Sequence, residues 1–191
     1  TWTSMQGRTC AVIGTGAIGK QIARFLKAFD CRVIGFRRRP SEETPANFDK
    51  ITVNLSEALS ESELVFVTLP LTPETKGIFS AEVLAGMKGK FLINVGRGEV
   101  VDEEGLYLAL KNGILKGAGI DVWYQYPEKG QTTANPSRYP ILELPNVVLS
   151  PHLAGLTPEA SAKNLEATME SIKSYIRAGR AISEVSPEKL Y

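Results

Sequence analysis

The chain has 191 residues, 43% of them hydrophobic and 23% charged, with a formal net charge of +1. That is enough for one good domain, or for a domain and part of another. So small a net charge excludes a global electrostatic pull toward nucleic acid or anionic lipid, and no apolar run approaches the ~20 residues that span a bilayer. Two cysteines, Cys10 and Cys31, lie beside or within apolar runs without metal-ligand spacing. They read as buried free thiols, which fits a reducing, cytoplasmic setting and no metal site. No basic-then-apolar signal segment opens the chain. It begins at Thr1 rather than Met, and its first strand follows almost at once. A processed chain or a piece of a longer one is therefore expected.

Short apolar runs alternate with helical patterns, as in a parallel sheet covered by helices. Thr9–Ile13 reads as the first strand. Gly14–Gly19 then turns into a helix with Ile22, Phe25, Leu26 and Phe29 on one face. Arg32–Phe36 is the second strand, Leu55–Leu59 a short helix and Leu64–Val67 the third strand. Ser80–Leu84 reads as helix with Ser80 as its cap, and Phe91–Asn94 as the fourth strand. Asp102 caps a helix over Glu103–Asn112, which Gly113 ends. Gly117–Val122 and Val147–Leu149 are the fifth and sixth strands. Between them Gln125–Tyr139, rich in Pro, Gly, Thr and Asn, is a loop long enough to suggest function. Thr157 caps a last helix, Pro158 takes its first position and Gly179 stops it, with Leu165, Met169, Ile172 and Ile176 as an apolar stripe. The short apolar piece Ala181–Val185 has no visible strand partner in the chain.

The run "AVIGTGAIGK" places Gly14, Gly16 and Gly19 between an apolar strand and an amphipathic helix, the context that the G-x-G-x-x-G fingerprint requires. Gly14 permits the tight turn, Gly16 lets backbone approach a pyrophosphate, and Gly19 lets helix pack close to strand. The free N–H groups of the helix start then face the phosphates. The expected fold is α/β, a doubly wound, Rossmann-like parallel sheet with helices on both faces. An acid about 20 residues past the glycines would bond the ribose 2′-hydroxyl of NAD. Here "VIGFRRRP" puts Arg37 at that position, followed by Arg38 and Arg39. A guanidinium grips a 2′-phosphate bidentately and cannot accept from a hydroxyl. Arg37 and Arg38 therefore point to NADP rather than NAD; the competing reading is a solvated loop.

Three further stretches end strands on the same side. "LINVGRGEVVDEEGL" carries Arg97, "GAGIDVWYQYP" carries Asp121, and "NVVLSPHLAGLTPEA" carries His152, the only histidine. An arginine and a histidine at the carboxyl ends of strands could bind a carboxylate and move a proton. Taken singly they have plainer readings: Arg97 neutralising Glu99 or Asp102, His152 capping a loop.

Together with "GTGAIGK", "LPLTPETKG", "GIDVW" and "SPHLAG" in this order, these stretches resemble the nucleotide-binding half of the D-isomer-specific 2-hydroxyacid dehydrogenases. The resemblance runs from the first ten residues to the end. It implies that Arg97 holds the substrate carboxylate and polarises the keto oxygen, and that His152 protonates that oxygen as hydride arrives. It also implies cofactor contacts at Ala17, Ile18, Leu69, Pro70, Thr75, Val95, Gly96, Asp121 and Gly155. The arginine at the ribose position points to a glyoxylate or hydroxypyruvate reductase type acting on a small 2-keto acid.

Two departures stand out. Where the family carries a glutamate five residues after the aspartate, this chain has Tyr126. A phenol can orient the histidine by a hydrogen bond, but its neutrality does not favour imidazolium; Glu128 and Glu143 are the nearby acids that could substitute. The family's N-terminal substrate-domain residues also have no counterpart here. Residues 1–156 then form the dinucleotide-binding domain, and 157–191 a crossover helix and tail of a substrate domain. The chain alone is expected to bind cofactor but not to turn over. Two other readings compete: a formate dehydrogenase-like NAD enzyme, and a non-catalytic NAD(P)-sensing corepressor-type module. The expected partners are a small 2-keto acid and a second copy of the chain, with no nucleic acid or membrane. The helix near Glu103–Asn112 and the exposed Trp and Tyr of the long loop are the candidate dimer contacts.

Overall fold

Seven strands form one all-parallel sheet: β1 (Thr9–Ile13), β2 (Arg32–Phe36), β3 (Lys50–Thr52), β4 (Leu64–Val67), β5 (Phe91–Asn94), β6 (Gly117–Ile120) and β7 (Val147–Leu149). The computed structural model describes residues 4–40, 43–182 and 184. The strand order is β3-β2-β1-β4-β5-β6-β7. The chain therefore runs outward from β1 in one direction and then, from β4, in the other. The crevice at the carboxyl ends of β1 and β4 is where such sheets bind ligands.

Helices α1 (Ala17–Lys27), α2 (Leu55–Ser60), α3 (Ala81–Ala85) and α4 (Glu103–Lys111) cover the sheet. Side chains alternate along a strand, so β1 feeds two cores. Ala11 and Ile13 join Ile34, Val65 and Leu92 against Leu59, Leu84, Leu106 and Leu110 of α2, α3 and α4. Cys10 and Val12 join Val33 on the opposite face, against Ala23 and Leu26 of α1. Burial on both faces is why these strands read as continuous apolar runs. Each fully buried Leu, Ile or Val contributes about 1.5–3 kcal/mol.

The structure corrects the sequence reading at several points. β3 was not expected. It is three residues of an edge strand opening on Lys50, too short and too charged to show as an apolar run. β6 stops at Ile120, not Val122, because its pairing with β7 ends at Ile120 opposite Leu149. Ser80 caps α3 as expected, whereas Asn112 is the cap of α4 rather than its last member. On α1 the buried residues are Gly19, Ala23 and Leu26, while Phe25, and Phe29 just past the helix, are exposed. A helix seated tightly on β1 and β2 turns Gly19, Ala23 and Leu26 to the sheet and leaves its ring outside.

The chain falls into two compact units, residues 1–151 and 152–191. The second opens at His152, whose φ of +60° is uncommon for a residue with a Cβ. It contains α5 (Pro158–Ala178). The Thr157 side chain caps α5 by accepting the Ala160 N–H at 3.1 Å, Pro158 opens it, and Gly179 closes it at φ +70°. The expected stripe of Leu165, Met169, Ile172 and Ile176 is present but exposed. The apolar piece Ala181–Val185 lies partly outside the described residues.

Candidate cofactor and substrate site

The three fingerprint glycines are required for three different reasons. Gly14 sits at φ +108°, where a side chain is strained, and its N–H donates to the Phe36 carbonyl at 3.0 Å. A Cβ on Gly19 would lie 1.9 Å from the Gly14 carbonyl oxygen, so only glycine lets α1 pack this close. Gly16 has an ordinary φ of −74°, and a Cβ there would meet nothing within 4 Å. Nothing among the described residues demands a glycine at 16; a ligand received in the open space in front of it would.

The start of α1 points the same way. Asn54, Ser80, Asp102 and Thr157 each cap their helix by accepting a backbone N–H. The start of α1 has no side-chain cap and no acid in its first turn. Its orphan amides and dipole are left for an anion. Ala17 and Ile18, both exposed, form that start. The residues present thus fit the pyrophosphate of a dinucleotide.

Arg37 follows Phe36, whose carbonyl the Gly14 amide engages, so the arginine run starts beside the glycine turn. Its own N–H donates to the Thr52 carbonyl at 3.1 Å, fixing its backbone to the end of β3, while Arg38 and Arg39 are exposed. Across the crevice the loop after β4 carries Leu69, Pro70 and Thr75. The Thr75 hydroxyl donates to the Pro70 carbonyl at 2.6 Å and accepts the Thr72 N–H at 2.8 Å, so its hydrogen bonds shape the loop itself. Glu74 in this loop is held below the usual carboxylate range, first by the Thr72 hydroxyl and its own backbone amide, with a smaller contribution from Arg38.

β5 ends in a turn that presents Arg97. Asn94 is 3% exposed; its Oδ1 accepts the Gly96 N–H and its Nδ2 donates to the Arg97 carbonyl, both at 3.0 Å. A Cβ on Gly96 would come within 2.6 Å of the Leu69 carbonyl oxygen, so Gly96, between Val95 and Arg97, sits directly against the loop after β4. The Arg97 guanidinium is exposed and donates from Nη1 to the Gly96 carbonyl at 2.7 Å. Glu99 pairs instead with Lys76, and Asp102 caps α4 on the Gly105 N–H. The plainer reading of Arg97 as a neutraliser of those acids is therefore wrong. Among the described residues no carboxylate pairs with it.

Asp121 is buried just past β6, and the Ser150 hydroxyl donates to its Oδ1 at 2.6 Å. Trp123 is not the exposed dimer contact that was expected. It is buried, and its indole N–H donates to the Ser150 carbonyl at 2.9 Å. Tyr126 is the exposed aromatic of this stretch, and its hydroxyl accepts the Trp123 N–H at 2.9 Å. The glycine turn, the arginine run, the loop after β4, Arg97 and Asp121 thus all lie at the carboxyl edge of the first unit. His152 and Gly155 belong to the second, both exposed. Sequence reasoning passed over Asn94, Ser150 and Glu74. A polar residue ending the apolar run "FLIN" was the available signal for Asn94.

An all-parallel, doubly wound sheet with an uncapped glycine-turn helix defines a dinucleotide-binding domain. The family model for the D-isomer specific 2-hydroxyacid dehydrogenase NAD binding domain matches residues 1–154, and the chain belongs to that family. A glyoxylate reductase of Korarchaeum cryptofilum is 37% identical over 172 residues, 90% of this chain and 50% of the relative. An acyclic imino acid reductase solved with NADPH and D-Arg superposes at a TM-score of 0.83 and 30% identity, covering 97% of this chain and 56% of that one. An NADPH-dependent glyoxylate/hydroxypyruvate reductase of Sinorhizobium meliloti, solved with NADP and malonate, gives 0.80 and 32%, covering 98% and 56%. The chain spans about half the length of the curated relatives it matches. Among the described residues no helix is long and apolar enough to cross a membrane.

Proposed function

We propose that this chain is the cofactor half of an NADP-preferring reductase that converts a small 2-keto acid to the D-2-hydroxy acid. The observation that carries the reading is Arg97: an exposed guanidinium without a carboxylate partner among the described residues, held one residue from the loop after β4. A guanidinium so presented binds a carboxylate through a two-pronged contact and draws electron density from an adjacent keto oxygen. Bound NADPH supplies the hydride. His152 gives a proton to the keto oxygen, and takes it back in the reverse direction. Arg37 and Arg38 grip the 2′-phosphate. Gly14, Gly16, Ala17, Ile18 and Gly19 receive the pyrophosphate, and Leu69, Pro70, Thr75, Val95, Gly96, Asp121 and Gly155 line the rest of the cofactor. Residues 157–191 are the crossover helix and tail of the substrate domain. The protein works in the cytoplasm as a homodimer, with α4 and the exposed Tyr126 as contacts. Malonate in the Sinorhizobium relative supports a carboxylate subsite in that protein, and the NADP with it supports the cofactor choice.

The test is turnover of the full-length protein with NADPH on glyoxylate, hydroxypyruvate and pyruvate. Each is run with and without methylamine, because one structural relative reduces imino acids. Arg97→Ala is expected to lower kcat/KM by about 100-fold or more, the loss of a charge-assisted bidentate contact plus orientation. Unchanged turnover would remove the mechanism.

A further inference from the structure

We propose that Asn94 is a positioning residue for Arg97, a role that rests on reading Arg97 as the carboxylate-binding group. Asn94 ends a strand that is otherwise Phe, Leu and Ile, and it is almost fully buried. A buried amide side chain must find partners for its oxygen and its NH2 group. Here both partners are the backbone of the two residues that present the guanidinium. Oδ1 takes the N–H that opens Gly96, and Nδ2 reaches the carbonyl that closes Arg97. One rigid planar group therefore bonds the Gly96–Arg97 segment at both ends.

The support is anchored from below and fenced on two sides. The Asn94 backbone carbonyl accepts the Asp121 N–H at 3.1 Å, which ties the clamp into β6. On one flank Gly96 lies against the Leu69 carbonyl. On the other a Cβ on Gly98 would lie 2.3 Å from the Trp123 carbonyl oxygen. With both flanks closed, the amide of Asn94 sets the remaining freedom of the turn. Asp at 94 keeps the acceptor for Gly96 but turns an oxygen toward the Arg97 carbonyl. Ser reaches neither partner at the same distances, and Gln is one methylene too long.

The test uses the full-length protein with NADPH and its best 2-keto acid, comparing Asn94→Asp, Asn94→Ser, Arg97→Ala and the Asn94→Asp/Arg97→Ala double variant. A displaced guanidinium predicts a fall in kcat/KM of about 10- to 100-fold for Asn94→Asp. NADPH affinity is expected to stay within about threefold. Coupled residues give non-additive effects, so Asn94→Asp should cost almost nothing further once Arg97 is alanine. Full additivity in this cycle overturns the proposal and leaves Arg97 standing. So does an equal loss of NADPH affinity and turnover in both Asn94 variants, which would make the residue a general support of the sheet. An Arg97→Ala change without effect brings down the Arg97 reading and this proposal with it.

Discussion

At the end of β1 the chain exposes backbone; at the end of β5 it exposes one guanidinium. The first corner is built from glycines, and no side chain caps its helix. The second is held by the Asn94 amide and flanked by Gly96 and Gly98. On the proposed reading, the difference follows from what each receives. A pyrophosphate is spread out and meets many amides at once, so bare backbone suffices. A single carboxylate needs one aimed cation, and a long side chain stays aimed only when the turn beneath it is fixed. Added atoms should therefore disturb both corners, at Gly19 as at Gly96 and Gly98, but only the β5 corner should also break when a side chain is taken away.

The largest expected effect is at Gly19. Gly19→Ala puts a methyl into the Gly14 carbonyl, backbone against backbone, and should destabilise the fold by about 3 kcal/mol, read from the urea midpoint. Gly16→Ala adds the same methyl to open space. It should change stability by about 1 kcal/mol or less yet weaken NADPH binding about 10- to 100-fold. Equal destabilisation by the two changes would show that Gly16 serves packing, and the uncapped helix start would lose its meaning.

Next in size is the choice of cofactor. Arg37→Asp should weaken NADPH about 10- to 100-fold, since each charge-assisted hydrogen bond contributes about 1.5–3 kcal/mol. It should also improve NADH, whose ribose hydroxyls an aspartate can accept. A fluorescence titration with both cofactors decides it. Indifference to the change would make the arginine run a solvated loop.

Glu103 gives a smaller effect and tests how the second corner is backed. It opens α4, and its carboxylate accepts from the Ser137 hydroxyl at 2.9 Å, the Arg138 N–H at 2.7 Å and the Arg138 Nε at 2.8 Å. Those bonds pin the long loop to the helix that follows Arg97. Burial pushes the Glu103 carboxyl up, but the Arg138 and Ser137 contacts outweigh it and hold the group below its ordinary value. A depressed folded value contributes stability above the unfolded pKa, and that contribution is lost as pH falls through the folded one. Glu103→Gln should cost about 1–2 kcal/mol at neutral pH, less for its ion-pair part because Arg138 is largely exposed. The variant should also flatten the acid limb of stability against pH. An acid limb as steep as the parent's would assign it to other carboxylates.

Where a residue's work is visible in its own chemistry, the sequence announces it. β1, β2, β4, β5 and β7 have the bounds their apolar runs imply, and the glycines sit where the fingerprint requires them. Where the work lies in what a residue touches, the sequence is silent. β3 hides because an edge strand of Lys, Ile and Thr needs no apolar run. Trp123 looks like a surface aromatic of a polar loop until its indole is found on the Ser150 carbonyl. Asn94 and Ser150 act through bonds to groups far from them in sequence or hidden in a turn.

The opposite end of β1 is closed where these two corners are open. Cys10 lies near the amino end of the strand and is fully buried, as Cys31 is, in the core beneath α1. Burial, and after it the neighbouring Cys31, push the Cys10 thiol from its ordinary value near 9 up to about 12. Only a thiolate is a strong nucleophile, so the folded chain should leave Cys10 unmodified by iodoacetamide at pH 8 and react once unfolded in urea. Because the folded pKa is raised, its contribution to stability is intact below pH 9 and is lost as pH climbs toward 12. Cys10→Ala should remove that share of the alkaline limb, a smaller change than any at the carboxyl ends. Prompt labelling of the folded protein at pH 8 would mean that the amino end of the sheet opens readily.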